Sequence, residues 1–416
     1  MFAVYFGGNR PNLGDSIWSI HVAMSVVKEG NTDLDEYENL IAKYNQYAVQ
    51  NINGHVYYYF PIGSSVLAVP FVFSIDKASN IIFQADLNDY LSQNLALDQF
   101  EHRLAMIQMF IASLYVALTT VFVYLIGELL FKRKLHSLFL ALIFAFCTSA
   151  WSMASIELNQ HGPSMLMLTI ALYLILSSKR RPGLIQFASI PLAFSYVIRP
   201  TNSLSILLLT VFVFIQYRKY FVSYILWSLL IAVPFFIYNL KIYGTVLSPY
   251  YSPQRVGSSP TFLEALAGNL VSPGRGLFIY SPILLLSILG IFIKARRGQL
   301  EKLDGFLISI IILHWITISS FPHWWGGSSF GPRFFTDIMP YFIYFLIPVI
   351  ARLAQLQGVK KGVLAVGFLT LFLISIFIHH QGATSFAVRS WVGDPVNVDQ
   401  APYRLWDWHD LSFLRR

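Results

Sequence analysis

The side chains best suited to chemistry stand singly, each in a turn or at the edge of an apolar run. Arg275 lies in Pro-Gly-Arg-Gly, where glycines allow close approach and a planar guanidinium can present its fork to phosphate oxygens. Arg333, in Phe-Gly-Pro-Arg ahead of an apolar run, invites the same reading. For Arg199, just after an apolar run and before Pro200, phosphate contact competes with simple snorkelling. His161, in Gln-His-Gly-Pro, is either a hydrogen-bonded structural residue or a partner for a phosphate or a proton. His323, Trp324 and Trp325 offer rings for a sugar, against the rival reading of an interfacial aromatic belt. Asp15 precedes Ser16 and an apolar stripe at Ile17, Ile20, Met24 and Val27 that Gly30 ends, which is the place of a helix N-cap. A carboxylate held there can also orient or deprotonate a nucleophile. Asp33 and Asp35 form an Asp-x-Asp pair, which without a nucleotide-binding domain reads first as a solvated loop or helix start, while Asp35-Glu36 offers a contact for a polar ligand or a site for a divalent cation (Mg or Mn), so metal use stays open. His379-His380 lacks a third ligand at metal spacing.

The elements that must hold these groups are set by composition. Of 416 residues, 56% are hydrophobic and only 12% charged, with a mean hydropathy of +0.57. A chain so apolar cannot cover itself with polar surface in water, which excludes a soluble domain and predicts an all-α integral membrane protein. The apolar residues come in long runs rather than alternation, which excludes an outer-membrane barrel. The one cysteine, Cys147, lies inside such a run, so no disulfide framework or thiol metal site is expected.

About ten runs approach the length of a span: 104–131, 135–151, 164–176, 184–198, 204–215, 222–238, 277–293, 306–320, 338–350 and 363–378. The connections after the first, third, fifth, seventh and ninth runs hold 15 of the 29 Lys and Arg, and the positive-inside rule makes them cytoplasmic. The net charge of +8 is then a topology signal, and a nucleic-acid surface, which would gather its cations on one soluble face, is excluded. The organisation that follows is a first extracytoplasmic loop over 1–103, a bundle over 104–378 with outer loops 241–276 and 322–335, and an extracytoplasmic tail over 379–416. Parity then calls for a further helix upstream of Met1, of which Met1–Phe6 reads as the last turns. Within 1–103, Pro61–Ser74 is interrupted by Pro70 and reads as a juxtamembrane or re-entrant piece, and residues 86–103 lead into the first long helix. Thr261-Phe-Leu-Glu264 has capping-box spacing, Glu128 and Lys132 form an i, i+4 pair, and Asp407 with Trp406, Trp408 and Phe413 docks the tail. Few ionisable groups lie within the runs, and the rest gather at the outer boundary, where the phosphate of a membrane lipid would lie.

Several motifs taken together resemble the bacterial polyprenol-dependent glycosyltransferases of the GT-C superfamily, in the branch of the protein mannosyltransferases and aminoarabinose transferases. They are Asn9-Arg-Pro-Asn-Leu-Gly-Asp15-Ser-Ile, Leu34-Asp-Glu36-Tyr, Tyr59-Phe-Pro-Ile-Gly-Ser64, Asn159-Gln-His-Gly-Pro163, Arg199-Pro-Thr201, Tyr238-Asn239 with Tyr243-Gly244, Ser272-Pro-Gly-Arg-Gly-Leu277 with Tyr280-Ser-Pro282, Trp324-Trp-Gly-Gly327 with Phe330-Gly-Pro-Arg333, and Arg404-Leu-Trp-Asp407-Trp. The resemblance runs over essentially the whole chain and implies an inverting transfer of a sugar from a polyprenyl-phosphate carrier to a glycan, lipid or protein acceptor, on the outer side of the inner (plasma) membrane. It makes Asp15 the catalytic carboxylate. The donor phosphate falls to Arg333, Arg275, Arg199 and His161, and the acceptor or sugar to Asp35, Glu36, His323, Trp324 and Trp325. Two rivals from other classes stand beside it, a transporter or flippase for a lipid-linked saccharide and a non-catalytic membrane scaffold. An O-antigen-type polymerase is a near neighbour.

Overall fold

A computed structural model describes the chain except for residues 9–12, 45–46, 94, 253–256, 258 and 416. The start of the Asn9–Ile17 motif thus lies outside the described residues. The first hundred residues form α1 (Phe2–Phe6), α2 (Ser19–Lys28), α3 (Glu38–Tyr44), the hairpin β1 (Val49–Ile52) and β2 (His55–Tyr58), α4 (Gly63–Phe83) and α5 (Leu87–Ser92). Next come α6 (Leu97–Phe131), α7 (Lys134–Phe146), α8 (His161–Ser177), α9 (Ser189–Ile198), α10 (Ser203–Gln216) and α11 (Arg218–Tyr243). Then follow α12 (Phe262–Val271), α13 (Leu277–Tyr280), α14 (Leu285–Arg296), α15 (Lys302–Ser319), α16 (Met339–Gln355), α17 (Gly358–Thr384) and α18 (Phe386–Ser390). The structure is 73% helical, with the hairpin as its sheet, which makes it an all-α fold. Among the described residues, α4, α6, α11, α15, α17 and the segment Arg333–Gln355 are long and apolar enough to cross a membrane, as a multi-pass membrane protein requires. The remaining apolar helices are shorter, so the structure gives six candidate spans where the sequence suggests ten.

The differences from the sequence reading have local causes. Pro70 does not interrupt α4, whose 21 residues run on through it, with Ser74 Oγ donating to the Pro70 carbonyl at 2.7 Å. The run 277–293 breaks at Ser281-Pro282, and the freed Ile283 amide is taken up by Ser375 Oγ of α17 at 3.0 Å. The hairpin turns on Asn53-Gly54, both at positive φ, a short signal that helical patterning overlooks. Helix α12 starts where expected, but Thr261 makes no side-chain cap and Glu264 instead accepts from Trp406 Nε1 at 2.9 Å. Among the described residues Glu128 and Lys132 make no ion pair, because Lys132 turns into the left-handed region (φ 55°) and ends α6.

The main core packs the inner faces of α6, α7, α8 and α16, and a second core joins α2, α3 and α4 to the first turns of α6. Connections expected on one side of the membrane meet each other. Lys179, after α8, pairs with Glu301 before α15, and Arg180 Nη2 donates to the Leu129 carbonyl at the end of α6 at 3.2 Å. At the opposite end, the turn before α2 and the segments around residues 157–161, 199 and 333 converge.

Candidate functional site

Four of the singled-out residues, far apart in sequence, form one chain of charges. Asp15 sits in a turn ahead of α2, which begins only at Ser19, so Asp15 is not its N-cap. Its carboxylate instead pairs with Arg333 Nη2, from the 3-10 turn that leads into α16. Arg333 Nε donates to Nε2 of His161, the first residue of α8, at 3.2 Å. Nδ1 of the same ring lies 3.3 Å from Asp337 Oδ2. Asp337 also pairs with Arg199, where α9 ends, whose Nη1 lies 2.5 Å from His161 Nδ1. The order Asp15, Arg333, His161, Asp337, Arg199 runs from a partly open end, with side-chain exposures of 27% at Asp15 and 19% at Arg333, to a closed one at Asp337 with 0%.

The surrounding backbone fixes this chain. Gln108, midway along α6, donates to the Ser16 carbonyl at 2.8 Å and accepts from the Leu158 amide at 3.1 Å, tying the Asp15 turn to the 157–161 segment. Tyr58 donates to the Asp15 carbonyl, and the Tyr47 hydroxyl reaches the Asp15 carboxylate. The Gly326-Gly327 pair, both at positive φ, turns the 322–335 loop so that the Gly326 carbonyl accepts from Arg333 Nη1 at 3.3 Å. Burial alone would raise the Asp15 pKa, but the Arg333 charge and hydrogen bond overcome it and hold the carboxyl below the usual carboxylate range. Glu157 behaves in the opposite way. Burial pushes its carboxyl up, and the Arg333 charge and a 2.7 Å hydrogen bond from Asn159 Nδ2 offset only part of that.

Two cavities of about 610 Å³ flank the chain. One is largely apolar, walled by Tyr196, Leu204, Tyr251, Phe321 and Phe334, with Arg199 and His323 at its edge. It shares Tyr196 and Ser203 with a further apolar cleft of about 420 Å³ between α9, α10 and α11. The other is the more polar of the two, with Glu157, Arg333, Arg389, Asp394 and Asn397 set among apolar side chains such as Met153, Ile156 and Phe386. A small gap between Asp15, Tyr58, Asn159 and Arg333 separates the first loop from the 157–161 segment.

The other expected residues lie elsewhere. Arg275 does not join the chain, because its guanidinium is spent on backbone. Nε donates to the Trp325 carbonyl at 2.8 Å, Nη1 to Gly274 at 2.7 Å and Nη2 to Gly327 at 2.9 Å, so its fork clamps the 322–335 loop rather than a phosphate. Trp324 is buried against Gly268 and Trp325 donates to Asp399 Oδ1 at 2.7 Å, so both rings pack loop to tail and present no open face. Asp35 accepts from the Val56 amide at 2.7 Å and bonds His55 Nδ1 at 2.5 Å, at the hairpin and away from the charge chain. Glu36 accepts from Ser25. Asp33, Asp35 and His55 place ligand atoms within 4.8 Å of one another in this outer region. Asp407 takes the His409 amide at 2.8 Å and does not dock the tail, and Trp408 is exposed. Arg404 braces the tail internally, donating to the Trp391 carbonyl at 2.8 Å and that of Asp394 at 2.7 Å, while docking falls to Ser272, whose Oγ donates to the Leu405 carbonyl at 2.5 Å, and to the expected anchors Trp406, bonded to Glu264, and Phe413, packed edge-on against Tyr280.

Sequence reasoning missed Asp337, Glu157 and Gln108. Asp337 lies four residues after Arg333 at the mouth of an apolar run, and that spacing was its one signal. No family model matches the chain, and a search of curated proteins finds no match either. The arrangement itself can bind an anion at the partly open guanidinium of Arg333, which lines the more polar cavity while Arg199 reaches the apolar one, with two carboxylates at hand.

Proposed function

We propose that this protein is a GT-C-like glycosyltransferase that moves a sugar from a polyprenyl-phosphate carrier to an acceptor. The observation that carries the reading is the convergence of Asp15, His161, Arg199 and Arg333, from four distant motifs, at the junction of an apolar and a polar cavity. The apolar cavity and the cleft that continues it suit an isoprenoid chain. Arg333, with Arg199 and His161 behind it, suits the phosphate that must leave with two negative charges. The polar cavity suits the acceptor. Asp15 is the carboxylate that holds Arg333 in place and orients the reacting groups.

In this reading α7, α8, α9, α10 and α14 cross the membrane with α6, α11, α15, α16 and α17, giving the ten spans the sequence suggests, and α4 stands apart from that set. The charge chain then faces the extracytoplasmic side of the inner (plasma) membrane, opposite the cationic connections. The test is to place the protein in phospholipid vesicles with a panel of undecaprenyl-phosphate pentoses and hexoses, add cell-envelope extract as the acceptor source, and follow labelled sugar. Transfer by the wild type, with Asp15→Asn folded but slower by about 10²–10⁴-fold, is the expected result. Movement of the intact lipid-linked sugar between leaflets without transfer, unchanged in Asp15→Asn, points to a flippase and removes the proposal.

A further inference from the structure

A transfer of this kind needs a base for the acceptor, and the carboxylate nearest the phosphate-binding cation is poorly placed to be one. Asp15 is paired with Arg333 and bonded by Tyr47, and the arginine's charge draws on the same carboxylate that a base would offer to a proton. Glu157 differs in each respect. It lies in the segment between α7 and α8, outside both helices, and lines the polar cavity together with Arg333. One of its oxygens, Oε1, accepts from Asn159, while among the described residues Oε2 accepts no hydrogen bond. Asn159 is itself fixed, since its side-chain oxygen takes the His161 amide at 2.9 Å, so Glu157 is held by the segment that carries the histidine of the charge chain.

We propose that Glu157 is the general base of the reaction, taking the proton of the acceptor from the polar cavity, while Asp15 acts as a positioning residue through Arg333. The inference rests on the glycosyltransferase reading. In the step, the acceptor oxygen forms a bond to the anomeric carbon as the bond from that carbon to the phosphate oxygen breaks. The bonding pair leaves with the polyprenyl phosphate, which departs as a dianion against Arg333, and the acceptor proton goes to Glu157 Oε2. No metal or redox partner enters the balance.

The charged groups that face Glu157 are Arg333 and Asp15 on one side and Arg389 on the other, with Asp394 on the same cavity wall. Arg389 spends Nε on the Gly382 carbonyl at 3.0 Å and Nη2 on Ala383 at 3.3 Å, which fixes a cation across the cavity. Burial nonetheless leaves the Glu157 carboxyl above its ordinary range, closer to the value that suits a base near neutral pH than the depressed carboxyl of Asp15.

The experiment uses the vesicle assay with whichever undecaprenyl-phosphate sugar the wild type turns over, comparing Glu157→Gln, Glu157→Asp and Asp15→Asn across pH. The wild-type kcat should climb with pH through a single ionisation above the ordinary carboxylate range. Glu157→Gln should lower kcat by about 10²–10⁴-fold, leave donor binding within twofold and abolish the pH step, and Glu157→Asp should restore part of both the rate and the step. Asp15→Asn should lower kcat and weaken donor binding but keep the step. Wild-type kcat in Glu157→Gln, or an intact pH step in that variant, overturns the assignment while leaving the transferase reading standing. Absence of transfer by the wild type from every donor overturns both.

Discussion

The two ends of the charge chain use the same chemistry for different ends. Asp15–Arg333 and Asp337–Arg199 are both carboxylate–guanidinium pairs, joined through one imidazole. The first is partly open to a small gap and a large polar cavity, and the second is sealed at its carboxylate, with the edge of Arg199 alone meeting the apolar cavity. An open pair can trade its partner for a substrate anion at little cost, because solvent and ligand both compensate the released charge. A sealed pair cannot, since parting two buried ions leaves each without compensation. The sealed pair is therefore built to hold geometry and the open one to respond.

This contrast can be broken by substitution, and the largest effect is expected at the sealed end. Asp337→Ala strands Arg199 in the interior and should lower stability by about 3–5 kcal/mol, read as thermal unfolding in detergent. A loss no greater than that of Asp15→Ala would erase the distinction. Next comes Arg333→Lys, which keeps the charge but loses the fork. It should weaken binding of an undecaprenyl-phosphate sugar by about 1.5–3 kcal/mol in a titration with vesicle-embedded donor, with little change in unfolding temperature. The smallest effect is the pH dependence of the open end. The folded Asp15 carboxyl lies below its unfolded value, so its contribution is present above the ordinary carboxylate range and fades as pH falls through the depressed value. Glu157 has the opposite sign. Its folded value is raised, so ionising it costs stability as pH rises from the ordinary to the raised value. Replacing Asp15 with Asn should flatten the acid limb of the stability profile, and Glu157→Gln the limb above it.

Much of the fold was legible because burial in a membrane writes itself as long apolar runs, and the alternation of cations between them marks two ends that the structure also separates. The broken run at Pro282 and the continuous one at Pro70 were not legible, since the outcome depends on whether a distant hydroxyl such as Ser375 Oγ takes the orphaned amide. In the site, Asp15, His161, Arg199 and Arg333 stood out through their turn-forming neighbours. Their pairing did not, because 318 residues separate Asp15 from its arginine. Arg275 shows why local sequence misleads. A guanidinium between glycines looks the same whether its fork meets a phosphate or three carbonyls of its own chain. Asp337 hid at the edge of an apolar run, where a carboxylate reads as the boundary of a span.

The Arg275 clamp also says something about time. The loop it grips carries Arg333, and the turn that holds Arg275 is bonded in its place by Leu405, 133 positions after Ser272 in the chain: Ser272 Oγ and the Gly274 amide both donate to the Leu405 carbonyl. Trp325, in the gripped loop, leans on Asp399 of the same late segment. The cation that would meet the substrate is therefore locked into position only once the later segment from Asp399 to Leu405 has been made, so a partly inserted chain carries its reactive groups without the brace that makes them a site.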